Sequence, residues 1–311
     1  LVSANLPTFQ LSDGDKASVK AENADGVMKV TVRGEVIEAR AFLKHLLEAP
    51  VAGRPNEKPM DIDLDVNLGV VVGNNGETMR QAVLKLSRRG GDLRAFTLGA
   101  LVGRDGGVNG DLAPQDNGRP KLRVATSDAG ALLRFINLYA RIYGGDMWID
   151  VDAPRGDGKP QLGIINMRDF VIRGEPGLDR LIAAAPSSTR DGRLQPGSAI
   201  AFRKLQVDFQ RSAEQLTIRE GAIWGPTIGS TFDGTLDFAD DRIGVRGTFV
   251  PAYGLNNLFS RLPVVGFFLG GGPNEGLVGV TYEIVGPLSG PTLRVNPISA
   301  VAPGFLRKIF E

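Results

Sequence analysis

Apolar and polar residues alternate along most of this chain. Residues 60–72 read MDIDLDVNLGVVV, with Met60, Ile62, Leu64, Val66, Leu68, Val70 and Val72 apolar and Asp61, Asp63, Asp65, Asn67 and Gly69 between them. A period of two puts the first set on one face of a pleated strand and the second on the other. The same period runs through Met28, Val30, Val32, Gly34 and Val36, through Leu205, Val207 and Phe209, and through Phe232, Leu236 and Phe238 against Asp233, Thr235 and Asp237. Short turn signals separate such runs: GNNGE at 73–77, GRDGG at 103–107, RSAEQ at 211–215 and ADDR at 239–242. Their closeness predicts sequential hairpins, a meander. The pattern yields about 14 to 16 strands, and at ~4.8 Å per neighbour a single sheet of them is roughly 70 Å across and has to twist, curl or split.

Four segments change the period to that of a helix. Residues 41–49 place Phe42, Leu43, Leu46 and Leu47 on one face before Pro50, and 128–143 place Leu132, Leu133, Ile136, Tyr139, Ala140 and Tyr143 on one face before Gly144 and Gly145. A shorter helix over 178–185, between Pro176 and Pro186, turns Leu178, Leu181 and Ile182 inward, and Leu255, Leu258, Phe259 and Leu262 define a fourth before Pro263. Alternation is equally compatible with a closed sandwich and an open trough. Four short helices cannot cover so wide an apolar face, so the sheet closes on itself or leaves an apolar patch larger than monomers normally carry.

Composition narrows the function classes. At 311 residues and 42% hydrophobic content the chain can bury a substantial face. Lys plus Arg number 36 against 35 for Asp plus Glu, so no overall positive field draws it to nucleic acid. Cysteine is absent, which removes disulfides, thiolate metal sites and cysteine nucleophiles. The chain begins at Leu1 with no signal-like n-region or h-region behind it, and reads as a piece of something longer, its anchor lying elsewhere.

Candidate chemistry is sparse. The single histidine, His45, shares a helix face with Lys44 and Glu48 and reads as exposed. Asp61, Asp63 and Asp65 lie ~6.6 Å apart in succession along a strand, too wide for one ion to collect all three unaided, and read as a solvated face. No serine has the nucleophile-elbow spacing, and the glycines at 270–276 do not stand between strand and helix as a dinucleotide motif requires. Trp148 and Trp224 sit in strand patterns, where packing explains them. Neither catalysis nor a cofactor or metal is expected.

The C-terminal run contains Pro251, Tyr253 and Asn256, then Leu262, Pro263 and Gly266, Gly271 and Gly272, Tyr282 and Gly286, and Asn296, Pro297, Pro303 and Gly304. In this combination it resembles the C-terminal region of the AsmA-like family, which includes the YhdP and TamB types of envelope protein. Residues 127–150, SDAGALLRFINLYARIYGGDMWID, and 38–47, EARAFLKHLL, look like further modules of that family. The resemblance is strongest over 126–311. It implies a mainly β, elongated and curled antiparallel sheet forming an open, taco-like groove with a few short amphipathic helices. It also implies a periplasmic location, an inner-membrane anchor outside this chain, and bridge-like transport of phospholipid toward the outer membrane. The expected organisation is one continuous segment over 1–311 with sub-blocks 1–125 and 126–311. The alternative function is an envelope scaffold that assists outer-membrane protein assembly.

Within such a groove the expected lining is Val66, Leu68, Val70, Val207, Phe209, Leu236, Phe238, Val245 and Phe249, because apolar side chains solvate acyl chains at ~0.8 kcal/mol per buried methylene. The stretch LFSRLPVVGFFLGGGPNEG is too short to span a bilayer. Its Leu258, Phe259, Leu262, Val264, Val265, Phe267 and Phe268 suit either a cap dipping into a membrane surface or a plug in the last turn of β-structure. Phe305, Leu306, Ile309 and Phe310 with Arg307 and Lys308 form a second small amphipathic segment.

Overall fold

The computed structural model describes residues 3–47, 60–115, 118–184, 197–251 and 280–296. Among the described residues it is mainly β, 65% strand against 9% helix, which answers the fold class read from the alternation. The strands are β1 (Ser3–Phe9), β2 (Lys16–Ala24), β3 (Val27–Glu38), β4 (Asp61–Val72), β5 (Thr78–Arg89), β6 (Asp92–Val102), β7 (Gly106–Ala113) and β8 (Lys121–Thr126). There follow β9 (Ile142–Asp152), β10 (Gln161–Ile172), β11 (Ile200–Arg211), β12 (Gln215–Trp224), β13 (Ile228–Asp237), β14 (Arg242–Pro251), β15 (Val280–Gly286) and β16 (Thr292–Asn296). They hydrogen-bond in sequence order into one sheet that does not close into a barrel. The chain forms two compact units, Leu1–Met167 with Arg211–Glu214, and Arg168–Gln210 with Gln215–Glu311.

All four turn signals join neighbouring strands. Two tighter hairpins carry the clearest turn chemistry: Asp25 and Gly26 (φ 54° and 81°) between β2 and β3, and Gly90 and Gly91 (φ 57° and 87°) between β5 and β6. Both central residues are left-handed, the two-residue turn whose twist matches that of the flanking strands. From β1 to β9 and from β12 to β16 neighbouring strands are antiparallel except at one joint, where β3 and β4 are parallel, with Val30 beside Leu64 and Val32 beside Val66. A parallel pair needs a crossover, and helix α1 (Arg40–Leu47) lies in that connection.

Helix α3 (Pro176–Ala184) falls where its period puts it, but α2 (Ala129–Phe135) is about half the predicted length. Asp128 caps its start by accepting from Ala131 N at 2.9 Å. Its end is a Schellman motif, Leu138 N to Leu133 O and Asn137 N to Arg134 O, with Asn137 left-handed at φ 59°. Tyr139 and Ala140 therefore follow the helix and Tyr143 belongs to β9, although the apolar spacing continues. The predicted helix at 255–262 lies outside the described residues.

Asp15 ties the first three strands together where β1 turns into β2. It is 2% exposed and accepts four hydrogen bonds, from Leu11 N (2.7 Å), Ser12 N (2.9 Å), Ser12 Oγ (3.1 Å) and Glu38 N (2.7 Å). Burial pushes its carboxyl up, but these donors together hold it below its ordinary 3.8. A carboxylate with a depressed folded value contributes stability above its unfolded value, and that stability is lost as the pH falls through the folded one. Asp15→Asn, which leaves donors unmet, should cost about 1–3 kcal/mol at pH 6. Urea unfolding should show the gap between wild type and variant narrowing below about pH 4.

Candidate functional site

Strand register lines up like residues across the first unit. Leu6, Val19, Val32, Val66, Leu84, Leu98, Gly110, Val124 and Ile149 are successive partners from β1 to β9. Beside them run Ala4, Ala21, Val30, Leu64, Leu86 and Phe96. Directly paired residues share a face of the sheet, so one face carries an apolar band at right angles to the strands. The opposite face carries Lys20, Thr31, Asp65, Lys85, Thr97, Asp111, Arg123 and Asp150 in register, with opposite charges recurring.

Much of the polar face is paired across strands. Arg33 pairs with Asp65 at 3.0 Å, Arg123 with Asp150 at 2.9 Å, and Arg89 with Asp63 at 2.8 Å while Ser87 donates to Asp63. Hydrogen bonds from Arg89 and Ser87 hold Asp63 below its ordinary value, and one from Arg33 does so for Asp65. Asp61 accepts from Gly90 N at 2.6 Å. The three aspartates thus act separately, as cross-strand partners.

The apolar band is not buried. Val19, Val32, Val66, Leu84, Leu98, Val124 and Ile149 are all half-buried, as are Val30, Leu64, Leu86 and Phe96, and Leu6 is 46% exposed. A second layer packed on this face would have taken mid-strand leucines and valines out of water. Burial appears toward the margins: at Leu93 and Ala113 on one side, and at Ala17, Leu68 (4% exposed), Ala82, Ala100, Val108 and Met147 on the other. At that end α2 is clamped down. Arg134 donates to Glu77 at 2.8 Å and stacks 4.7 Å from the centroid of the Tyr143 ring, and Gly130 lies so close to β9 that a Cβ there would stand 2.6 Å from Tyr143 Cα.

A bulge disturbs the period near that margin. Between Arg80 and Val83 β5 slips against β6, so that Leu84 faces Leu98 and Met79 faces Val102. Those two β6 residues share a face, and Met79 faces Val71 in turn. Val71, not Val70, therefore continues the face of Val66 and Leu68. An unbroken alternation predicted Val70; the extra residue at the bulge, where Gln81 takes φ 51°, reverses it.

The second unit repeats the two-faced register, but its apolar face is buried at Ile228, Val245, Phe249, Val280 and Tyr282. Leu236 faces Ile243, Gly234 faces Val245, Ser230 faces Phe249, and Val245 faces Ile284, so Leu236, Val245 and Phe249 share one face. Leu236 is half-buried, while Val245 and Phe249 are buried, as are Val207 and Phe209 on β11. Phe238 lies just past β13 in the turn, not on the strand. The opposite face carries Asp233, Arg246, Glu283 and Arg294 in register, again alternating in charge. Trp224 packs beneath Lys204, 5.2 Å from ring centroid to Nζ. Leu258, Phe259, Leu262, Val264, Val265, Phe267 and Phe268 lie outside the described residues, as do Phe305 to Phe310 and His45's side chain.

Two further features shape the second unit's face. Rings lie flat over glycines: Phe232 over Gly221, and Tyr282 over Gly247, where a Cβ would stand 2.5 Å from the ring. Phe96 lies against Gly110 in the first unit in the same way. Burial pushes the Tyr282 hydroxyl up despite its hydrogen bond with Ser230 Oγ at 2.9 Å. The sheet here is also bent. A Cβ on Gly177, five residues beyond the end of β10, would lie 3.8 Å from Leu293 of β16, whereas a flat sheet puts six strand spacings, roughly 29 Å, between β10 and β16.

Comparison of the chain with protein-family models, curated proteins and solved structures gives no match. Among the described residues, no helix is long and apolar enough to cross a membrane.

Two adjacent substitutions test the faces. Val83, 37% exposed, pairs with Asn67 on the polar side, and Val83→Glu should change stability by less than about 0.5 kcal/mol. Leu84→Glu should cost only about 1 kcal/mol in urea unfolding because the band is open but should abolish binding of an apolar dye. A loss above about 4 kcal/mol would reveal a covered core instead.

Proposed function

We propose that this chain is a non-enzymatic lipid-transport segment of an AsmA-like, bridge-like protein of the Gram-negative periplasm. In this reading it is anchored in the inner membrane by a segment outside these residues and carries phospholipid acyl chains toward the outer membrane. The observation that carries the reading is the half-buried apolar band across β1–β9, opposed by a polar face on which Arg33, Arg89 and Arg123 pair with aspartates. Eight strand spacings make the band about 38 Å long measured along the sheet. A single leaflet's acyl layer is about 15 Å, half of the ~30 Å hydrocarbon core, so the band exceeds the length of one lipid.

The chemistry suits movement as well as binding. Burial of methylenes against Val, Leu, Ile and Phe is favourable at ~0.8 kcal/mol each and has no preferred position, so a chain shifted by one strand spacing exchanges one set of contacts for an equivalent one. Glycines overlaid by aromatic rings keep the face low. Headgroups remain in water at the band's margin.

An assembly-scaffold reading has its own observation: among the described residues, β1 and β16 each have a single partner in the sheet, leaving an outer edge for another strand. Native mass spectrometry of the chain purified from bacterial membranes separates the two. A conduit carries phospholipid adducts, and Leu84→Glu with Leu236→Glu removes them while the β circular-dichroism signal stays. Lipid retained by that double variant, or no lipid on the wild type, would overturn the conduit.

A further inference from the structure

One cation interrupts the band. β4 and β5 pair without a slip, so Arg88, opposite Ile62, shares the face of Leu86, Leu84 and Leu64. Across β6 it faces the buried Leu93. Arg89 turns the other way, to Asp63. Among the described residues of β1–β9, Arg88 is the only charged residue that the registers place on the apolar face.

Its guanidinium is underused. Arg88 donates once, from Nη2 to the Met60 carbonyl oxygen at 3.1 Å, and its Nε is buried with no acceptor. No carboxylate pairs with it among the described residues, in contrast to Arg33, Arg89 and Arg123 on the other face. A guanidinium offers five N–H donors in a planar fork that matches phosphate oxygens. An unmet buried donor beside apolar side chains is a standing cost that an anionic acceptor removes.

We propose that Arg88 anchors the phosphate of a lipid headgroup at the margin of the band. It stands one residue from the end of β5 and is half-buried, so its guanidinium borders water while Leu86, Leu64, Leu84 and Val66 continue inward from it. A phospholipid with its phosphate at Arg88 lays its acyl chains on those residues. The charge is complementary to a phosphodiester and to nothing in a neutral diacylglycerol. This assignment rests on the acyl-chain reading of the band.

The test uses the whole 311-residue chain as wild type, Arg88→Met and Arg88→Lys, each checked by circular dichroism. Each is offered equimolar phosphatidylglycerol and diacylglycerol bearing the same acyl chains, and retained lipid is read by native mass spectrometry. Wild type should favour phosphatidylglycerol. Arg88→Met should reduce its retention about tenfold, the scale of one charge-assisted hydrogen bond, with diacylglycerol unchanged and Arg88→Lys recovering part of the loss. Equal retention of both lipids by wild type, or no effect of Arg88→Met, overturns the anchor and leaves the band's acyl-chain role standing. Retention of neither lipid by wild type overturns both. The guanidinium 15N resonance of Arg88 should shift with phosphatidylglycerol and not with millimolar inorganic phosphate. An equal shift with phosphate alone would assign the site to a free anion and overturn the headgroup assignment. Should Arg88→Met not fold, Arg88→Lys and the resonance decide between the same outcomes.

Discussion

Everything on the two faces depends on transverse register. Side chains alternate across a strand with a period of two, so a slip of one residue in any pairing would send a whole strand's leucines and valines to the charged side. Here the partners of Val66 on both sides are Val32 and Leu84, and those of Asp65 are Thr31 and Lys85. The same alignment therefore builds a continuous apolar stripe and a polar one in which opposite charges recur. Each ion pair, being exposed, is worth little by itself. Its larger effect is discriminatory, because a slipped pairing would leave Asp65 and Asp63 against apolar neighbours and Leu64 in water.

Most proteins with such a sheet cover it. In a sandwich the apolar faces of two sheets press together, and mid-sheet residues lose nearly all contact with water. The helices described here do not do this for the middle of the first unit: α2 is held at one margin by Asp128, Arg134 and the close approach of Gly130 to β9. The result is burial at Leu68, Ala82 and Val108 and partial exposure at Val66, Leu84 and Leu98. Folding stability then concentrates at the margins and along the hydrogen-bonded ladders, and the middle of the face stays partly in water.

The sheet was legible in the sequence because alternation and short turn signals are local. The details that failed were those set by a single residue. Asn137 in a left-handed conformation ends α2 although the apolar spacing runs on to Tyr143; Gln81 inserts a bulge that exchanges Val70 for Val71; Phe238 falls one residue beyond its strand. The parallel joint between β3 and β4 had a visible sign, a helical segment between two strands in a run of hairpins, long enough to carry the crossover that a parallel pair requires. Leu84, Leu86 and Leu98 were missed as members of the band for another reason. Their own alternation is plain, but only the pairing with Val66 and Leu64 shows that they extend the same band.

Arg88 illustrates what local pattern cannot reach. In the run LKLSRRGG, two adjacent arginines before a turn look alike. Register separates them: Arg89 joins the ionic face through Asp63, and Arg88 is left on the apolar one with a single carbonyl partner. A cation in that position would be a defect in a face meant only to pack against another layer, since a buried guanidinium without an anion is costly. On a face meant to hold molecules that are apolar along most of their length and anionic at one end, it is the residue type and the place that the chemistry requires.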